Sequence, residues 1–119
     1  MTAGVPGDLP AFDHLVADFI GVRPAQLRDG ALLSGLLIAA AGAMGVSASV
    51  PLVRHLPDDG VAAMLLLDSC HMTAHAFPER GVLLLDVLSL ATHDPQKALD
   101  VFARRVAARE IRTDRRPRG

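Results

Sequence analysis

The sequence predicts an α+β fold: a two-layer sandwich in which a mostly antiparallel sheet carries two helices on one face. Three observations predict it. Residues 61–68 and 82–90 are continuous apolar runs of strand length, the pattern of buried strands. Pro78-Glu-Arg-Gly81 turns the chain sharply just before the second run. Two longer segments open on helix-start signals, Asp29 and the pair Asp94-Pro95. Strands in succession, with the helices set apart, favour a layer of sheet against a layer of helix.

The elements follow in order. Residues 1–11 read as a loose N-terminal arm, because Gly4, Pro6, Gly7 and Pro10 deny regular pairing. Residues 12–20 read as a strand, with Leu15, Ala17 and Phe19 alternating against His14, Val16 and Asp18; Pro24 ends it. Asp29 is the expected N-cap of a helix reaching about Met44. Leu33, Leu36, Leu37, Ala40 and Met44 give that helix one apolar stripe, and its other side, with Ile38, Ala39 and Ala41, is bare of charge, so it wants cover on more than one face. Residues 47–53 read as a strand whose Pro51 marks an edge or a bulge. Leu56-Pro-Asp-Asp-Gly60 is a turn, residues 61–68 a central strand, residues 71–77 extended and residues 82–90 a second buried strand. The second helix runs to about Ala108, with Ala98, Val101, Phe102 and Val106 inward. A last strand is expected at 110–113, followed by a basic tail at 114–119.

A chain of 119 residues is one domain by the usual size of domains. Half of it is apolar, yet Trp and Tyr are absent, so the core is built from aliphatic residues and a few Phe. The net charge of −1 points to neither nucleic acid nor an anionic membrane surface. The five arginines from Arg109 to Arg118 read as a solvated arm in preference to a phosphate site. A single cysteine excludes an intramolecular disulfide framework and suggests a reducing compartment. The N-terminal segment is not a secretory signal, and the apolar run 31–46 is shorter than the roughly 20 residues of a membrane span. A cytoplasmic protein is expected.

The chemistry concentrates in residues 60–89. They hold the one cysteine, Cys70, beside His71 and near His75. That is a candidate nucleophile with a base. A lone cysteine is more often a small buried hydrophobe, and on composition both readings stand. His71 and His75 have metal-ligand spacing on a helix, but on a strand they lie roughly 13 Å apart, too far to share one ion. No metal is expected.

The same segment carries a resemblance. Ser69-Cys70-His71, then His75-Ala-Phe77-Pro78-Glu79, Gly81 and Asp86, resembles the prokaryotic S-adenosylmethionine decarboxylase proenzyme family without a gap from Gly60 to Ala91. The family pattern there is Gly-Val-Thr/Ser-Gly, an apolar run, Glu-Ser-His, three residues, then His-Thr-Trp-Pro-Glu, a Gly-containing turn, and Asp-x-Phe-Thr-Cys-Gly. His14-Leu-Val-Ala-Asp18-Phe19 and Leu27-Arg-Asp29 resemble the family's first strand and the start of its first helix. The resemblance implies a proenzyme in which a serine attacks the preceding carbonyl, the ester breaks by elimination, and a pyruvoyl group forms as the electron sink for decarboxylation. It implies polyamine synthesis, specifically of spermidine, as the pathway and a homodimer as the assembly.

Carried over residue by residue, the resemblance implies processing by Ser69, Cys70 and His75, catalysis by Cys70, His75 and Glu79, and substrate binding by His55, Phe77 and Glu79. The pyruvoyl group would derive from Cys70. The chain departs from the pattern in several places. Cys70 stands for the serine, Ser69 for the acid before it, and Ala62 for the hydroxyl residue after Gly-Val. His55 replaces the adenine-stacking aromatic, and Leu90 replaces the proton-donating cysteine. Placing Ser69 as the nucleophile restores an Asp-Ser pair but costs an insertion before His71. The departures mark a diverged member. They leave open an enzyme acting on another substrate, with Cys70 as an acyl-transfer nucleophile, and a non-catalytic paralogue that partners an active homologue.

Overall fold

The computed structural model describes residues 10–119. A six-stranded antiparallel sheet has the order β2-β3-β4-β5-β1-β6. The strands are β1 (Phe12–Ile20), β2 (Leu52–His55), β3 (Val61–Leu66), β4 (His71–Phe77), β5 (Val82–Leu90) and β6 (Glu110–Arg118). Three helices, α1 (Pro24–Leu27), α2 (Gly30–Met44) and α3 (Gln96–Arg105), complete the α+β sandwich. The short α1 is additional to the two helices expected.

Side-chain alternation assigns the two faces. Leu15, Ala17, Phe19, Val61, Ala63, Leu65, Met72, Ala74, Ala76, Leu83, Leu85 and Val87 are buried. They share a core with Leu33, Leu36, Leu37, Ala40, Ala98 and Phe102 from the helices. The alternate residues face away from the helices and form an open face. Phe19 and Phe102 meet with ring centroids 6.4 Å apart, so one edge-tilted pair joins the layers. Ala41, expected on the outer side of α2, is buried, whereas Ile38 and Ala39 are exposed.

Local signals explain the boundaries. Asp29 caps α2, its carboxylate accepting from the Leu32 N–H at 2.9 Å. Gly45 ends α2 with φ 74°, a left-handed C-terminus that glycine adopts without cost. Asp94 accepts from the Gln96 N–H at 3.0 Å and opens α3 as expected. The helix stops at Arg105, three residues before the predicted end, because the Gln26 side chain takes over its terminus. Gln26 Nε2 donates to the Arg105 carbonyl at 2.9 Å, and Gln26 Oε1 accepts from the Ala107 N–H at 3.2 Å.

Two sequence expectations are corrected, and a third falls mostly outside the described residues. The strand predicted at 47–53 begins only at Leu52; before it, Ala48 makes a single bridge to Leu67. Pro51 has no N–H to offer the ladder. The basic tail predicted at 114–119 is instead the second half of β6, which pairs with β1 from Glu110–Ile20 to Arg118–Phe12. Its residues are solvated, as expected, but backbone pairing along β1 organises them. The arm predicted at 1–11 lies outside the described residues except for Pro10 and Ala11. Ala11 is tied down: its carbonyl accepts from the Ala91 N–H at 2.8 Å.

Candidate functional site

The hairpin between β3 and β4 sets the position of Cys70. Leu66 pairs with His71, the chain bends at Asp68 and Ser69, and the Leu67 N–H donates to the Cys70 carbonyl at 2.8 Å. Cys70 therefore keeps the alternation of β4. It shares the helix-side parity of Met72 and Ala74, while His71, Thr73, His75 and Phe77 lie on the open face. No kink at Cys70 turns it toward His75; the bend falls on the two residues before it. None of Asp68, Ser69 and Cys70 takes a positive φ, and their peptide bonds are trans.

Cys70 lines a half-open cavity of about 50 Å³ with Ser69, Ser89, Leu90 and His93. Extending the β4–β5 register by one step places Cys70 opposite Ser89. The Ser89 hydroxyl is buried without a hydrogen-bond partner. Burial pushes the Cys70 thiol above the ordinary thiol range, so at neutral pH it is held protonated. That opposes the activated thiolate a nucleophile beside a base would be.

His75 lines a different cavity, an apolar groove of about 350 Å³ on the open face with Leu52, Arg54, Ala62, Met64 and Thr73. It stands directly across from Ala62 and stacks on Phe77, with ring centroids 4.4 Å apart and planes 15° from parallel. Its Nε2 is buried and has no partner. Ala62, where the resemblance implies a hydroxyl, leaves that nitrogen unserved. Thus the structure brings together His75 and Phe77 and separates them from Cys70.

The remaining expected residues scatter. His55 has the helix-side parity of β2, and a Cβ built on Gly30 would lie 3.1 Å from its Nε2. It covers the start of α2 instead of joining His75 and Phe77. Glu79 is exposed in the 3₁₀ turn Pro78–Arg80, beyond the opposite end of β4 from Cys70. Seven residues of strand put at least roughly 23 Å between those ends. Leu90 has open-face parity at the end of β5.

Sequence reading missed a polar cluster on the open face. His14 Nε2 bonds Asp86, and Arg118 Nη1 lies 3.2 Å from His14 Nδ1. Arginine has only donors, so Nδ1 accepts, and the ring proton on Nε2 is donated to the Asp86 carboxylate. The signal was present: Arg112, Asp114, Arg116 and Arg118 recur with period two in the segment taken as a tail. Among the described residues, no three His, Cys, Asp or Glu side chains converge as a metal would need.

The comparisons with known proteins agree with this architecture. The family model described as S-adenosylmethionine decarboxylase matches residues 13–119. An S-adenosylmethionine decarboxylase proenzyme from Brevibacillus brevis is 33 % identical over 88 residues, 73 % of this chain and 66 % of that protein. One from Pyrobaculum islandicum is 26 % identical over 113 residues, 93 % of this chain and 90 % of that protein. The crystal structure of the adenosylmethionine decarboxylase from Aquifex aeolicus superposes with a TM-score of 0.84 at 22 % identity, covering 93 % of this chain and 92 % of that one. With a family match over nearly its whole length and modest identity to those relatives, this chain belongs to the S-adenosylmethionine decarboxylase family as a diverged member.

Proposed function

We propose that this chain is an S-adenosylmethionine decarboxylase-like protein that keeps a small-molecule binding face while self-cleavage between Ser69 and Cys70 is slow or absent. The observation that carries the reading is Cys70 itself, a buried thiol standing where the family pattern has a serine. Cys70 lines the cavities of Ser89 and of Arg118, and His75 lines a separate groove. The five-residue spacing is the family's own, so the substituted groups, and not the spacing, set this chain apart. The thiol is also held protonated by burial, and Leu90 has no proton to transfer. The residues present therefore do not fit a pyruvoyl group. Each missing proton donor or acceptor costs about two to four orders of magnitude in rate.

The binding face is the open side of the sheet. His75, stacked on Phe77, lines an apolar groove suited to a flat heteroaromatic ring such as adenine. The same face exposes Val16, Met64, Leu66 and Leu84. These form an apolar surface that a second copy, or an active homologue of the same shape, would cover.

Intact-mass analysis of the purified protein tests the reading. The expected result is a dominant full-length mass, with Cys70→Ser raising the cut fraction. One observation favours a second reading, that of an active pyruvoyl decarboxylase: among the described residues, the Ser69 carbonyl accepts no hydrogen bond and is free for attack. A wild-type protein fully split after Ser69 would establish that second reading in place of the first.

A further inference from the structure

From the neighbourhood of Arg118 we infer that this arginine is the carboxylate-recognising residue of the open face, binding the α-carboxylate of an amino-acid ligand in the hollow it shares with Phe12 and Leu88. The inference rests on the small-molecule reading above and adds the residue that orients the ligand. Arg118 lines a cavity of about 380 Å³ together with Phe12, Ser69, Cys70, Leu88 and Gly119. It also lines, with Gly119, a polar concavity of about 510 Å³ shared with His14 and Arg116. One guanidinium thus stands where the two hollows meet.

The geometry explains how it is held. Phe12 pairs with Arg118 on one side and with Leu90 on the other. A step further along that row, the β4–β5 register reaches the Ser69–Cys70 turn. Three strand spacings place the backbones of β6 and the turn about 14 Å apart. An extended arginine and the backbone of an amino acid together span that gap. The Arg118 Nη1 lies against His14 Nδ1, and Asp86 fixes the His14 ring from the other side. His14 orients the guanidinium without neutralising it.

Two other arginines of the same strand are already committed, and Arg116 lines only the polar concavity, away from Phe12 and Leu88. Arg112 holds Glu110 at 2.7 Å, and Arg115 holds Asp13 at 2.9 Å and Asp94 at 3.0 Å. Among the described residues Arg118 has no carboxylate within ion-pair distance. A planar donor fork beside apolar Phe12 and Leu88 matches a carboxylate with two oxygens.

The test uses the full uncleaved chain. Wild type, Arg118→Met and Arg118→Lys are titrated with S-adenosylmethionine, L-methionine, L-ornithine and L-arginine, and with the methyl ester of each, followed by nitrogen–proton correlation spectra. At least one acid is expected to bind wild type about fivefold or more tightly than its ester, the size of an exposed charge pair. Arg118→Met should remove that preference and leave the ester's affinity unchanged. Arg118→Lys should restore part of it, because charge returns without the fork. The spectra themselves report whether each variant is folded. Absence of any acid-over-ester preference in wild type, or its survival in Arg118→Met, overturns the assignment. A preference that appears for other amino acids and not for S-adenosylmethionine supports Arg118 and removes the adenosyl ligand of the proposed function.

Discussion

Cys70 stands one residue before β4 and keeps its alternation, so it and His75, five residues apart, turn to opposite faces. Burial raises the Cys70 thiol, so its thiolate is scarce at neutral pH and grows only above the range of an ordinary cysteine. Alkylation by iodoacetamide should be several-fold slower at pH 7 than for a free thiol. Its pH profile should rise at a higher pH; a midpoint at or below the free value would show an activated cysteine. His75 offers a second test. Its Nε2 is buried without a partner directly across from Ala62. A serine there puts a hydroxyl within cross-strand reach. Ala62→Ser should therefore stabilise the fold by about 1 kcal/mol. An unchanged urea midpoint would count against the pairing.

At the scale of elements, the short α1 acts through one side chain. Gln26 satisfies the Arg105 carbonyl and the Ala107 N–H and so ends α3 where it does. Gln26→Ala should cost about 1 to 2 kcal/mol. Hydrogen exchange should show it fraying the last turn of α3, while protection in β1 and β5 is retained. The end of α3 feeds β6, whose register on β1 is locked by Arg115 reaching both Asp13 and Asp94. One arginine thereby ties the edge strand to its neighbour and to the start of α3. These exposed pairs are individually weak; together with nine residues of ladder they hold a segment that charge content alone would leave loose.

For the whole molecule the decisive feature is a sheet covered on one side only. Helices bury one face, and the open face shows Val16, Met64, Leu66 and Leu84 among its polar groups. Leu52 and Met64 pair across β2 and β3 and extend that surface to the edge. The unpaired His75 nitrogen lies on the same side. A protein with this face in water should associate through it. Light scattering at micromolar concentration should give a dimer, and Leu84→Asp should shift it toward monomer with circular dichroism unchanged. A wild-type monomer would remove the dimer and leave the groove to a ligand or another partner.

The layers are legible in the residue pattern, because alternation and apolar runs report burial directly, and β1, β3, β4 and β5 stand close to where their patterns place them. It determined the caps at Asp29 and Asp94, whose chemistry is local. It also determined the family, through the spacing of Cys70, His75, Pro78 and Glu79. Which of those residues share a face depends on long-range pairing and strand parity. Parity in β4 and β2 set Cys70 apart from His75 and turned His55 onto Gly30. The arginine-rich segment read as a tail because its own composition favours water. Its pairing with β1 is contributed by a strand roughly 100 residues earlier, and no local pattern can carry a partner that distant. The same long-range pairing set Arg118 beside His14 and opened it onto the cavity of Cys70.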